Sequence, residues 1–405
     1  MNSKENLVKK PKKEDEIEEE IEEIELDDEP KKSTTSSSPA KKRMITMMAI
    51  IIGATLILLF ILFIMSLFTT KKYDYDQVEE VLVSAAKSYF KDHPDNLPVD
   101  DGDIVEIDSS NLVAEGKMKD LSEYVSDTSC AASVQVERSG SEYLYTPYLN
   151  CGDSYTTVEL YKQILNDNDV VTSGDGLYST GSGYVYRGEF VNNYVQLDNS
   201  LWRIVKVTSD DNVVLIHADG LEYSQPWDDR YNESRFYESG LNTYSLSRIR
   251  EYLDRIYKNP VKDDGEDILS KGDKARIVSH NACVGKRDDA SEAKDNSLEC
   301  KDLLRDQKMS LLTLSDYMYA SLDPNCKNVG TKSCMNYNYL AIDDEWWLIT
   351  ANSKDTSTVF KVDRDGVLKA DVAATYSKVR PVIYLNSKIL LKGGKGTLEK
   401  PYIVK

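Results

Sequence analysis

The stretch LEYSQPWDDRYNESRFY, residues 221–237, gathers the residue types that recognise hydroxyl-rich ligands. Tyr223, Trp227 and Tyr231 offer ring faces that stack on sugars or side chains, and Asp228 and Asp229 offer carboxylates that accept hydroxyl hydrogens. Pro226 and the length of the stretch mark a loop. The competing reading is that Trp227 packs back on the domain and holds the loop down. Trp346 and Trp347, in DDEWWLIT, read differently, because successive side chains in a strand point to opposite faces. Their rings cannot form one flat platform and fit a sheet covered on both sides. Trp202, in LWRIVKV, has the same apolar setting, and Arg187 and Arg380 stand out as well. Arg380, ahead of Pro381, reads as an anchor for loop carbonyls or a carboxylate.

Signals for catalysis are sparse. The sequence has no GxSxG elbow, HExxH, P-loop or GxGxxG. The acid pairs Asp228-Asp229 and Asp343-Asp344 sit at turn positions, where Asp bonds its own backbone. VDRDGV reads as a hairpin turn and not as a calcium loop. No catalytic residue, metal or cofactor is assigned. A formal charge of −19 argues against nucleic-acid binding by bulk electrostatics.

The segment MITMMAIIIGATLILLFILFIMSLFTT, within 44–70, has no charged residue. As a helix rising about 1.5 Å per residue it would cross a hydrocarbon core of roughly 30 Å, so a single transmembrane helix is expected. Lys31, Lys32, Lys41, Lys42 and Arg43 outweigh Lys71 and Lys72, which orients the N-terminus to the cytoplasm and leaves the rest extracytoplasmic. Residues 1–43 read as a disordered, charged cytoplasmic tail. All six cysteines (Cys130, Cys151, Cys283, Cys300, Cys326 and Cys334) follow the apolar segment, which suits disulfides in an oxidising compartment. Sequence order suggests the pairs 130–151, 283–300 and 326–334, with other connectivities open.

Two units follow. In 71–156, YDYDQVEEVLVSAAKSYFKDHP spaces Val78, Val81, Leu82, Ala85, Ala86, Tyr89 and Phe90 as one face of an amphipathic helix. DIVEID and EYLYTPYLNC then supply strands. This order resembles type IV pilins and pseudopilins. A Gly-Phe or Gly-Met junction with an early Glu is absent, so the resemblance implies a pilin-like stalk and not a filament subunit. In 157–405, YVQLDNSLWRIVKVTSDDNVVLIHADG reads as a β-meander, and YLAIDDEWWLITAN and STVFKVDRDGVLKADVA as further hairpins. SLSRIREYLDRIY, capped by Ser245 with Leu246, Ile249, Leu253 and Ile256 on one face, and TLSDYMYASL read as helices. The expected class is a β-rich α+β domain.

The motifs GLYSTGSGYVYRGEFVNNYVQLDNSLWRIVKV, YSLSRIREYLDRIY and DGVLKADVAATYSKVRPVIYL occur in that order. Together they resemble an uncharacterised extracytoplasmic domain family, a domain of unknown function in Gram-positive surface proteins. Its marks are a Trp-Arg-Ile-Val strand, a Ser-x-x-Arg-x-x-Leu helix, a Trp-Leu strand and a closing Val-Arg-Pro strand. The resemblance covers most of 174–386 and implies no activity. The pattern also resembles the C-type-lectin-like fold of formylglycine-generating enzymes and some adhesins, a likeness of fold alone.

The expectation is a membrane-anchored, single-pass cell-surface protein whose head binds a ligand or adheres without catalysis. The partners in view are the membrane and a cell-wall glycan, host glycan or surface protein. The alternatives are an envelope enzyme acting on wall polymer and a surface sensor signalling to the tail.

Overall fold

A computed structural model describes residues 39–68, 73–126, 129–198, 200–234, 238–258 and 268–405. The chain divides into two compact units, Met1–Lys71 and Lys72–Lys405.

In the first unit, helix α1 (Pro39–Phe68) begins inside the stretch expected as tail, so 39–43 are helical. The remainder of that tail, 1–38, lies outside the described residues. Among the described residues no helix is long and apolar enough to cross a membrane. The expected transmembrane helix over 44–70 is thereby overturned. The cell-membrane localisation and the inside–outside orientation built on it fall with it.

The second unit opens on α2 (Tyr75–Asp92), started by a capping box in which Asp74 accepts from Gln77 N and the Gln77 side chain returns to Asp74 N. Its apolar stripe, Val78, Leu82, Ala85, Ala86 and Phe90, is buried. It packs on an antiparallel sheet of β1 (Ile104–Asp108), β2 (Ala131–Ser139) and β3 (Glu142–Asn150), with the short α3 (Ser109–Ala114) between the first two strands. Cys130–Cys151 ties the far ends of β2 and β3 together, where Ala131 pairs with Asn150. These residues share one core.

A larger core lies beyond Tyr155. After α4 (Leu160–Asp167) come β4 (Gly176–Thr180), β5 (Gly183–Arg187), β6 (Tyr194–Leu197), β7 (Ser200–Thr208), β8 (Val213–His217) and the short β9 (Gln225–Pro226). Helices α5 (Arg248–Lys258) and α6 (Lys271–Arg276) precede β10 (Ile277–Val278), β11 (His280–Cys283) and β12 (Leu303–Gln307). Then follow α7 (Leu314–Ala320), β13 (Trp346–Ala351), β14 (Thr358–Val362), β15 (Leu368–Val372), β16 (Tyr376–Ser377), β17 (Val382–Leu385), β18 (Leu391–Gly393) and β19 (Tyr402–Val404). The central nine-stranded sheet runs β10-β17-β8-β7-β6-β19-β18, with β5 also on β7 and β4 on β5. Within it β19 runs parallel to β6 and lies between β6 and β18. A second sheet, β13-β14-β15, carries the Trp-Trp strand. The class is α+β and β-rich.

Strands β6, β7 and β8 form the meander read from the sequence, and Asp-Gly turns β14 into β15. YLAIDDEWWLITAN differs: Asp343 and Asp344 precede β13 with no strand before them, so it is not a hairpin. α5 starts later than expected. Ser247, not Ser245, supplies the oxygen that accepts from Arg250 N, and Leu246 is exposed while Ile249, Tyr252, Leu253 and Ile256 are buried. Cys283–Cys300 and Cys326–Cys334 complete three disulfides. Three such bridges fit an extracellular protein, because reducing compartments do not sustain them.

Candidate functional site

The 221–234 loop folds against its own domain. Trp227 is fully buried, and its indole N–H donates to Leu348 O of β13 at 3.0 Å. Asp228 is buried as well: its carboxylate accepts from Arg230 Nε at 2.8 Å, Leu241 N at 2.7 Å and Arg248 N at 3.2 Å. Asp229 pairs with Arg248 at the surface, and Tyr223 and Tyr231 are exposed. The expected sugar platform on Trp227 is therefore corrected, since neither of its faces meets solvent and Asp228 is consumed in holding the loop. Trp346, Trp347 and Trp202 are likewise core. Arg380 is buried over the Trp346 ring and donates to the carbonyls of His217, Ala218 and Leu340, which makes it a structural anchor. Arg187 lies between the rings of Tyr178 and Tyr319 and donates to Tyr319 O and Ser321 O.

A polar pocket lies elsewhere on the head. It encloses about 230 Å³ between β5, β7, α7 and the 283–300 loop. Lys206 reaches it from β7, whose register shifts between Ile204 and Lys206. Such a bulge breaks the in–out alternation and re-aims the residue that follows. Asp316 comes from the first turn of α7, where Thr313 caps the helix by accepting from Asp316 N at 3.0 Å. The two charges meet at 3.2 Å, with the side chains 24 % and 13 % exposed. Asn296 Nδ2 donates to Asp316 Oδ1 at 2.8 Å, and Thr313 Oγ1 lies 2.8 Å from Asp316 Oδ2.

The 283–300 loop is held from both ends. Cys283–Cys300 closes it, and the buried Glu299 pairs with Arg287 at 3.3 Å while accepting from Ser315 N and Oγ of α7. Asn296 takes a left-handed conformation, φ 61°, which Asn tolerates better than most residues. The loop thereby brings Lys294, Asp295 and Asn296 to the pocket wall. The ammonium of Lys294 has no hydrogen-bond or ion-pair partner among the described residues, and burial together with the nearby Arg187 guanidinium lowers its pKa.

Electrostatics keep the central pair charged. Burial pushes Asp316 up, but Lys206 and the hydrogen bonds from Asn296 and Thr313 outweigh it and hold the carboxyl below its usual range. Burial pulls Lys206 down, and the Asp316 charge reverses this and raises it. Lys206, Asn296 and Asp316 also line an inner cavity of about 50 Å³, where His280 Nε2 is 2.8 Å from Ser310 Oγ and the imidazole stacks on Tyr384. Burial, then the Lys206 and Lys308 charges, bring His280 down to about 3. Its Nδ1 has no hydrogen-bond partner among the described residues. A serine nucleophile needs a base that is basic near neutrality and oriented by a third group, and this pair has neither property.

The pocket thus offers an unpaired cation, a charge pair and hydroxyls, an arrangement suited to binding a small polar molecule. Sequence reading missed these residues. The available signal was the lysine interrupting the apolar run IVKV, together with Thr-x-x-Asp opening TLSD. No protein-family model, curated protein or solved structure matches this chain.

Proposed function

We propose that this protein is a disulfide-stapled extracytoplasmic binding protein, whose head takes a small polar ligand, a wall or host glycan fragment among the candidates, without turning it over. The observation that carries this reading is the pairing of Lys206 with Asp316 beside the unpartnered Lys294. Charges taken out of water are costly unless paired, and a partly buried ammonium without a partner leaves a place for a ligand group. The resemblance to extracytoplasmic surface domains and the three disulfides support the compartment.

The test is a thermal-shift screen of the oxidised full chain against wall fragments and glycans, followed by calorimetry on any hit. A ligand that loses about tenfold in affinity in Lys294→Gln, with the melting temperature of the free protein unchanged, supports the reading. A hit indifferent both to Lys294→Gln and to Ser182→Ala, which removes a hydroxyl of the pocket lining, or no hit, overturns the site.

A further inference from the structure

Strand β3 leaves part of one edge open. Leu149 turns away from β2: its N–H donates to Thr157 Oγ1 at 2.9 Å and its C=O accepts from Thr157 N at 2.8 Å. Antiparallel pairing alternates residue by residue, so Tyr143, Tyr145 and Pro147 also face away from β2. Thr157 covers the edge at Leu149, but the outward N–H and C=O groups of Tyr143 and Tyr145 have no partner among the described residues. An uncovered edge of this kind is a template for another strand.

Beside it runs a groove of about 280 Å³. One wall is residues 144–147 of β3, and the other is Ala275 and Arg276 of α6 with residues 388–390. The lining has no Asp or Glu side chain, on a chain whose formal charge is −19; of its cations, Arg276 pairs with Asp273 at 3.0 Å and Lys405 with Asp76 and Glu79, which leaves Lys388. The Lys388 ammonium has no partner among the described residues; only the backbone N–H of this residue is bonded, to Asn386. The adjoining space, about 680 Å³, shares Pro147, Arg276, Leu390 and Lys405 but adds Asp76, Glu79, Glu80 and Asp198. The acid-free part is therefore the part along the open edge.

The geometry points to a second binding site, where an extended segment of a partner protein carrying an acidic side chain adds as a strand to β3. Main-chain bonds to Tyr143 and Tyr145 would supply affinity, and the unpaired Lys388 would select a carboxylate. Leu144, Ile389 and Leu390 would cover the apolar side chains in between. Pro147, which lacks an N–H, limits how far the pairing runs and restrains indiscriminate edge association.

The probe is an end-capped decapeptide of alternating Glu and Val, titrated into the oxidised full chain and read by calorimetry and amide hydrogen exchange. Binding is expected with slowed exchange at the Tyr143 and Tyr145 amides, weakened at least tenfold by Lys388→Glu. The same peptide N-methylated at alternate amides cannot pair as a strand and should not bind. This control leaves the protein untouched, so misfolding of a variant cannot imitate it. Equal binding of the N-methylated peptide or of a Lys–Val peptide, protection elsewhere, or no binding would each overturn the site. None of these outcomes depends on the Lys294 pocket, which shares no lining residue with this groove.

Discussion

The ammonium of Lys405, just past β19, lies 2.5 Å from a carboxylate oxygen of Glu79 on α2. Glu79 is nearly buried and also accepts from Tyr155 OH at 2.8 Å and from the Thr157 hydroxyl, while Lys405 reaches Asp76 at 2.7 Å. One cluster therefore fastens the core around α2 to the end of the central sheet. Lys405→Met should cost about 3 kcal/mol, because it leaves Glu79 buried without its countercharge. Glu79→Gln should cost less, since Asp76 still pairs with Lys405. Urea denaturation checks both. Wild type should unfold in one transition, and Lys405→Met should separate the two cores into two.

Lys206 and Asp316 should behave as a coupled pair. Breaking a buried ion pair by removing one partner costs about 3–5 kcal/mol, and the partial exposure of these side chains reduces the expected loss to about 2 kcal/mol. Lys206→Met combined with Asp316→Leu should recover much of that loss. A double-mutant cycle by chemical denaturation measures the coupling, and strict additivity would contradict it.

Acid should destabilise the head through two histidines. Burial brings His280 to about 3, and burial with the Arg380 charge brings His217 to about 4. Both stay neutral in the folded chain while the unfolded chain takes up protons below roughly pH 6.5. The unfolded state then binds more protons, so stability is full above that value and falls as pH drops toward the folded values. Between pH 7 and pH 5 each histidine should cost about 2 kcal/mol. His280→Gln should flatten the profile by that amount in denaturation series at several pH values.

Trp227→Ala should act on stability and not on ligand recognition. Removing a fully buried tryptophan costs about 3–5 kcal/mol, and here the 221–234 loop also loses its bond to Leu348 O. Where the variant remains folded at low temperature, calorimetry should find ligand affinity at the Lys294 pocket within about twofold of wild type. A tenfold loss would return the binding role to Trp227.

The features legible in the sequence were local, and the candidate pocket was not among them. Thr313 capping α7 and the Asp-Gly turn after β14 are decided by neighbours within a few residues, and both stand in the sequence. Lys206 was not readable, because a bulge between Ile204 and Lys206 overrides the alternation from which a strand's faces are inferred. Trp227 was ambiguous for a related reason. Its surroundings in sequence are polar, but its contacts come from Leu348 and Tyr244, distant along the chain.

The sequence by itself determined the β-rich α+β class, the order of the meander, the amphipathic stripe of α2 and the core placement of Trp202, Trp346 and Trp347. These follow from periodicity and turn chemistry, which act over one or two turns of chain. Only the tertiary structure decided that Trp227 and Asp228 hold a loop, that Lys206 meets Asp316, that Lys405 reaches Glu79 and that Tyr143 and Tyr145 face an open edge. Each of these depends on which segments distant in sequence become neighbours, and burial, ion pairing and edge coverage are properties of that packing and not of any local pattern.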